Sequence, residues 1–308
     1  MNKTILLLGL ATFAVGACTR GAANDGLDAD YSAEIAAWRV ERLDKLRAED
    51  GYLNLAGLFW LQQESNSFGS GADVDVRFPA PAPAMIGSFD FTPDGIIMTI
   101  ADGVDVLVDG WPVDSILMLD DTTETPVTAV TGSMAWVVVH RQGKTAIRLR
   151  DFEHPALTAL PPIPSFVIDP EWRVEGQLIP FDEPRVMNVG TVIEGLGYNP
   201  ESPGIMAFEY GGERYELEAY QSGDRLFFVF GDQTSGRETY PAGRFVYAEA
   251  PDENGKTILD FNKSYNPPCA FGDFSTCPVA SPRNRLAVRI EAGEKFIPEL
   301  HVGSLTRH

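Results

Sequence analysis

Short turn signals recur along most of this chain, and they constrain its fold more than any other feature. Asp94-Gly95, Asp102-Gly103, Asp109-Gly110 and Gln142-Gly143 separate segments too brief for well-formed helices. Such pairs accept the left-handed backbone that a tight hairpin turn needs. Asp73 to Phe78 alternates, with Val74, Val76 and Phe78 on one side and Asp73, Asp75 and Arg77 on the other, the period-two pattern of a half-buried strand. Ile96 to Ile100, Val104 to Val108, Ala135 to Arg141 and Thr145 to Leu149 read as further strands. Turns at intervals of about 8–12 residues are what a β-sandwich or barrel requires.

The later part of the chain repeats this texture. Trp172 to Pro180, Arg185 to Ile193, Gly204 to Tyr210, Glu213 to Ala219, Arg225 to Gly231 and Gly243 to Glu249 are strand-like, and Gly211-Gly212 marks a hairpin. Prolines 155, 161, 162, 164 and 170 crowd the stretch between the two parts. Each removes a backbone donor and fixes φ, so that stretch is read as a link. One helical pattern stands out, Tyr31 to Asp50. Ile35, Trp38, Leu43 and Leu46 lie near one face, and Glu34, Arg39, Glu41, Arg42, Asp44 and Lys45 are placed elsewhere. Ser32 is the expected N-cap and Gly51 the expected stop. Tyr52 to Leu61 is apolar at nearly every position, which predicts burial on more than one side. The expected class is all-β: β-sandwich or barrel halves over residues 31–154 and 155–308, with one amphipathic helix in front. The stretch from Phe68 onward is similar in pattern to forkhead-associated sandwiches. It lacks their Gly-Arg and Ser-x-x-His arrangement, so their phosphothreonine binding is not carried over.

Residues 1–17 have the layout of a secretory signal, with Lys3, an apolar run from Ile5 to Val15, and then Gly16 and Ala17. The run is shorter than the about 20 apolar residues that a spanning helix needs. Val15-Gly16-Ala17-Cys18 resembles the lipobox of bacterial lipoproteins, whose cysteine is acylated and becomes the new N-terminus. The alternative is an ordinary secretory signal with a chance cysteine at its junction. The resemblance implies a lipid anchor at Cys18, the bilayer as a partner, a small polar tether over residues 18–30 and a location in the cell envelope. Thr19, in place of Asp, favours the periplasmic face of the outer membrane over the inner membrane.

An oxidising compartment bears on the two remaining cysteines. Cys269 and Cys277 are close enough to close a small disulfide loop containing Gly272. Buried free thiols are the second reading. A metal pair is the third, and it wants ligands that the neighbouring sequence lacks. No metal and no cofactor is expected. The 24 basic against 44 acidic residues, a formal charge of -20, argue against nucleic acid and against anionic headgroups as direct partners.

Standard catalytic signatures are missing. There is no Gly-x-Ser-x-Gly elbow, His-Glu-x-x-His helix, Walker loop or Rossmann glycine pattern, and His140, His154, His301 and His308 are scattered. What stands out is the density of polar, aromatic and proline residues in two blocks. Phe230 to Phe245 holds Asp232, Thr234, Tyr240 and Arg244; Leu259 to Phe271 holds Asn262, Tyr265 and Asn266 and continues to Cys277-Pro278, Asn284-Arg285-Leu286 and Gly293-Glu294-Lys295. Amides, phenols and a guanidinium together can hold an oxygen-rich or carboxylate-bearing ligand. A plainer reading is open for each: Asp232 and Thr234 as a self-bonded turn, and Glu294-Lys295 and Arg150-Asp151 as strand-end ion pairs.

These blocks, with Asn54 to Leu61, Phe68-Gly69 and Arg148 to Asp151, resemble the family called domain of unknown function 1684, over about residues 50 to 296. One departure is Gly231, where the family pattern suggests Arg. The family brings no established activity. The expected function is therefore an envelope lipoprotein that binds a small polar or carboxylate-bearing ligand through its C-terminal β half. The alternatives are a hydrolase of a small envelope or nutrient-derived substrate, or a structural scaffold.

Overall fold

The computed structural model describes residues 28–301, so Cys18, the signal-like segment, most of the tether and His308 lie outside the described residues. Its helix α1 (Ala29–Arg47) starts three residues earlier than the expected N-cap. Asp28, not Ser32, is the cap, accepting from the Asp30 amide at 3.0 Å. The helix stops at Arg47, before Gly51. Gly51 is needed for another reason: a Cβ there would lie 2.5 Å from the Leu46 carbonyl oxygen and 2.7 Å from that of Lys45. The chain could not fold back against the helix end with any side chain at that position.

The inward face of α1 also differs from the expected one. Ile35 and Leu46 are fully buried, but the same face carries Arg39 and Arg42, which bond the carbonyls of Phe166 (3.1 Å) and Asn266 (2.9 Å). Spacing alone puts 35, 38, 39, 42, 43 and 46 on one side of a helix. The two arginines are there because they dock the helix onto polar backbone.

The rest is β-structure, as expected. The N-terminal part is a sandwich. One sheet holds β1 (Leu55–Trp60), β6 (Leu107–Val108), β7 (Trp111–Pro112), β9 (Ala129–Thr131), β10 (Met134–Arg141) and β11 (Lys144–Asp151) in the order β1-β11-β10-β9-β6-β7. The other holds β2 (Ser65–Gly69), β3 (Val76–Arg77), β4 (Gly87–Thr92), β5 (Gly95–Ile100) and β8 (Ser115–Met118) in the order β3-β2-β4-β5-β8. Phe68, Phe78, Phe89, Met98, Trp136 and Ile147 fill the space between the sheets. The Asp73 to Phe78 alternation yields only a two-residue strand, because the chain leaves the sheet to insert Phe78 beside Trp136, 5.5 Å between ring centroids. Tyr52 and Trp60, at the two ends of the apolar run, stay exposed at 43% and 36%, so burial on several sides holds only for its middle.

A short helix, α2 (Ala156–Ala159), and irregular chain lead into the second part. There β12 (Arg173–Val186), β15 (Glu201–Tyr210), β16 (Glu213–Ser222), β17 (Arg225–Phe230), β18 (Arg244–Ala248) and β19 (Lys256–Asp260) form the row β18-β17-β16-β15-β12-β19, beside a small β13 (Val189–Gly190) and β14 (Gly197–Tyr198) ribbon. Arg185 to Ile193, read as one strand, is divided between the end of β12 and β13. The two ends of the row meet, with Thr257 Oγ1 donating to the Glu249 carbonyl at 3.0 Å. The sheet is thus a curled half-barrel, and its inside is packed solid by Phe208, Leu217, Phe228, Phe230, Phe261 and Ile290.

The Leu226-Phe227-Phe228-Val229-Phe230 run has no alternation because both faces of β17 are covered. Leu226, Phe228 and Phe230 point into the barrel, whereas Phe227 and Val229 pack under a second layer with Phe245, Cys269 and Cys277. Those cysteines form a disulfide with Cα atoms 6.2 Å apart, inside the range that bridging requires. A fourth cluster joins Leu46 and Leu53 to Ala156, Leu160, Phe271 and Leu300.

Truncating a fully buried aromatic in a filled barrel leaves a cavity that the sheet cannot close. Phe228→Ala is expected to lower unfolding free energy by about 3–5 kcal/mol, measured by chemical denaturation. A loss below about 1 kcal/mol would mean the interior is not packed as described.

Candidate functional site

Most of the polar residues singled out in the two blocks bond to the protein itself. Asp232 closes a turn, accepting from Thr234 Oγ1 at 2.8 Å and, across the barrel mouth, from the Ile290 amide at 2.7 Å. Thr234 meets Thr239 at 2.9 Å. Arg244 extends from β18 into the barrel end, where it is 1% exposed. It donates to the carbonyls of Ala292 and Ile290 and sits 3.5 Å from Asp232. Burial pushes its pKa down to about 10, with the Asp232 carboxylate opposing that shift; it stays charged at neutral pH and plugs the barrel. Tyr240 donates to the Cys269 carbonyl at 3.1 Å. Lys295 lies 4.2 Å above the Phe166 ring.

Asn262 ties together three segments, accepting from the Asp169 amide at 3.0 Å and donating to the Asp169 carbonyl at 2.7 Å and the Tyr31 hydroxyl at 3.0 Å. Asn266 donates to the Lys295 carbonyl. Glu294 is buried, accepts from the Asn266 amide at 2.7 Å and has Arg42 Nε 3.4 Å away. Burial raises the Glu294 pKa, and Arg42 pulls it back. Gly293 stands just before it at φ 76°, and a Cβ there would lie 2.4 Å from the Ser264 carbonyl oxygen.

Arg150 lies in the N-terminal sandwich, apart from this cluster. Together with Asn54 it clamps the turn after α1, donating to the Gly51 and Asp50 carbonyls and to Asn54 Oδ1 at 2.6 Å. Gly231, the departure from the family pattern, lies beneath Arg285, whose Nη1 would be 3.1 Å from a Cβ at that position. An arginine from elsewhere in the chain occupies that space.

Tyr265 is different, because it faces a groove. Two cavities, of about 540 and 460 Å³, run along α1 where it crosses the outer face of β17 and β18, and both are lined by Trp38, Arg225, Tyr247 and Tyr265. The Tyr247 and Tyr265 rings are near-parallel at 6.5 Å and 12°. Arg225 lies 4.3 Å over Tyr247, and Arg42 lies 4.5 Å over Tyr265. This gives a column of two phenols bracketed by two guanidiniums, with cation–π attraction holding each end. Trp38 leans on Tyr265 from the helix, at 6.3 Å. The larger cavity adds Glu34, Arg173, Thr257, Lys263 and Asp260; the smaller adds Tyr52, Tyr198, Lys45 and Phe227. Among the described residues, Arg225 and Arg173 make no ion pair; their nearest assigned partners are the faces of Tyr247 and Tyr31. No cluster of three or more metal-ligating side chains occurs among the described residues.

Comparison with known proteins finds a family resemblance for part of this assembly. Residues 158–295 match the model described as Protein of unknown function (DUF1684). Over those residues the chain is similar to that family. The DUF1684 match is shorter at its N-terminal end than the resemblance from residue 50 implied. It covers Tyr198, Arg225, Tyr247, Asp260 and Tyr265, whereas Trp38, Arg42 and Tyr52 come from outside it. A solved structure, the uncharacterized protein from a Haloarcula marismortui gene locus determined by solution NMR, is 26% identical, with a TM-score of 0.37, covering 43% of this chain and 75% of that one. No curated protein matches.

Of the groove residues, sequence reasoning selected Tyr265 alone. Trp38 and Arg42 were legible as helix-face positions, but their role is set by what the helix lies against. Asp260 lies inside the second polar block, and its setting depends on Tyr31, which only the fold brings beside it. It is 6% exposed, accepts from Tyr31 Oη at 2.9 Å, and its Oδ2 has no hydrogen-bond partner. Burial, the leading cause, raises its pKa, opposed by bonds from Tyr31 and Asn262 and by Lys263. The folded state therefore holds this proton more tightly than the unfolded chain. The stability it contributes is fully present below the ordinary carboxylate pKa and is lost as pH rises through the raised value. Asp260→Asn keeps an acceptor for Tyr31 and removes the titration. Its melting temperature is expected to fall less than wild type between mildly acidic and neutral pH; equal slopes would refute the assignment.

Proposed function

We propose that this protein is an envelope lipoprotein, anchored through Cys18, that binds a small carboxylate-bearing ligand in the groove between α1 and the outer face of β17 and β18. The observation that carries the reading is Arg225. In a chain with a formal charge of -20, its guanidinium lies 4.3 Å over the Tyr247 ring at the shared wall of both cavities without a carboxylate partner among the described residues. A guanidinium fixed on an aromatic face is already oriented to take a carboxylate in its plane, and the aromatic walls suit a flat apolar ring. Both cavities fall in the range of about 300–1,000 Å³ usual for ligand sites. Among the described residues no helix is long and apolar enough to cross a membrane, and under this reading attachment rests on the acyl chains.

A hydrolase has one observation in its favour: Asp260, a buried carboxyl with a raised pKa at the wall of the larger cavity, could serve as a general acid. It takes second place because Glu34, a second carboxylate lining that cavity, is held in an ion pair with Lys263.

Thermal denaturation of the full-length chain against a panel of carboxylic acids tests the binding reading. A ligand at about 100 times its dissociation constant adds about 2.7 kcal/mol of stability, a clear rise in melting temperature. Arg225→Ala is expected to abolish that rise while leaving the ligand-free melting temperature near wild type. A stabilising acid that is indifferent to Arg225→Ala would place its site elsewhere, and no stabilisation by any acid would favour a scaffold. For the anchor, Cys18→Ser is expected to move the protein from the membrane to the soluble fraction and to remove incorporation of labelled fatty acid. Retention of both would refute it.

A further inference from the structure

The two cavities are not independent pockets. Trp38, Arg225, Tyr247 and Tyr265 line both, so one aromatic wall runs unbroken between them. Beyond that shared wall, the lining changes in kind. The larger cavity offers donors and acceptors together: Arg173, the Lys263 and Glu34 ion pair, Thr257, Glu249 and Asp260. The smaller is more apolar, lined by Tyr52, Tyr198 and Phe227 together with the ion-paired Lys45 and Glu41. A ligand that fills this length needs flat apolar faces repeated along it and edges that both donate and accept hydrogen bonds. Pyranose rings have that character: their C–H faces lie on aromatic rings, and each hydroxyl donates and accepts.

A peptide fits less well. Extended peptides are usually held by adding a strand to an open sheet edge. Here the β18 edge beside the groove is bridged at Phe245, which exchanges both backbone hydrogen bonds with Tyr265 at 2.9 Å. Arg225 at the junction and Arg173 toward one end, neither with an ion-pair partner among the described residues, favour carboxylates on the sugar units.

We propose that the two cavities are successive subsites for one acidic oligosaccharide of at least two sugar units, its rings lying along the wall of Trp38, Tyr247 and Tyr265 and its carboxylates meeting Arg225 and Arg173. This rests on the binding reading above and extends it to a ligand class. Galacturonic acid, its dimer and its trimer are titrated calorimetrically into the full-length chain, with neutral maltotriose and triglutamate as comparisons. Affinity is expected to rise by about tenfold or more from monomer to dimer, and both comparison ligands are expected to bind at least about tenfold more weakly than the acidic trimer. Arg173→Ala at one end and Tyr52→Ala at the other, both exposed positions, are each expected to weaken the dimer.

A dimer no tighter than the monomer, or a dimer sensitive to only one end, would overturn the two-subsite proposal. Triglutamate binding as tightly as the uronate trimer would replace the glycan with a peptide. If no uronate binds but another carboxylate stabilises the protein through Arg225, the glycan proposal fails and the carboxylate reading stands. If binding of uronates and carboxylates alike ignores Arg225→Ala, both fail.

Discussion

The buried Glu294 carboxyl is the constraint on which the rest of the site depends. An isolated charge in a protein interior is costly, and removing one partner of a buried pair typically loses about 3–5 kcal/mol. Glu294 meets this with the Asn266 amide on one oxygen and Arg42 of α1 beside the other. The chain therefore gains by laying its first helix against residues from its far end. Once Arg42 is there, its guanidinium also covers Tyr265 and bonds the Asn266 carbonyl. One contact fixes the helix, the orientation of a groove phenol and the turn before the disulfide loop.

Several features follow from that placement. Trp38 lies one helical turn before Arg42, on the same face, and so becomes a groove wall. Tyr52 enters the groove because the helix ends at Arg47 and the chain reverses at Gly51, with Arg150 and Asn54 holding the turn. The outer face of β17 and β18 needs cover, because Phe227 and Phe245 lie on it. The loop stapled by Cys269 and Cys277 covers one side and α1 the other, and the groove is the strip left between them. The barrel interior is filled with aromatic rings and closed by Arg244.

The all-β character was legible because Asp-Gly and Gly-Gly pairs specify their own backbone and alternation specifies a face. The disulfide was the first of three readings for Cys269 and Cys277, and the folded chain forms it. The lost parts share a cause. Arg39 and Arg42 read as solvent-facing because charge usually is, yet carbonyls and a carboxylate from residues more than a hundred positions away drew them inward. Asp232, Arg244 and Asn262 have the chemistry of ligand-binding groups, and sequence cannot tell whether such groups meet a ligand or a carbonyl. Their hydrogen bonds to Ile290, Ala292 and Asp169 show which partners they have in this fold. The groove itself joins residues from outside the DUF1684 match to residues within it, a proximity that only the folded chain reveals.

The central claim is that the Arg42 and Glu294 contact holds α1 down and thereby builds the groove. Native-state hydrogen exchange measures this directly, since it reports the free energy of opening each segment. Amides of residues 35–46 are expected to be protected nearly as well as those of β17. In Arg42→Leu they are expected to exchange at least about tenfold faster, with β17 little changed. Exchange of α1 that is already fast in the wild type, or that is unaffected by Arg42→Leu, would contradict the account.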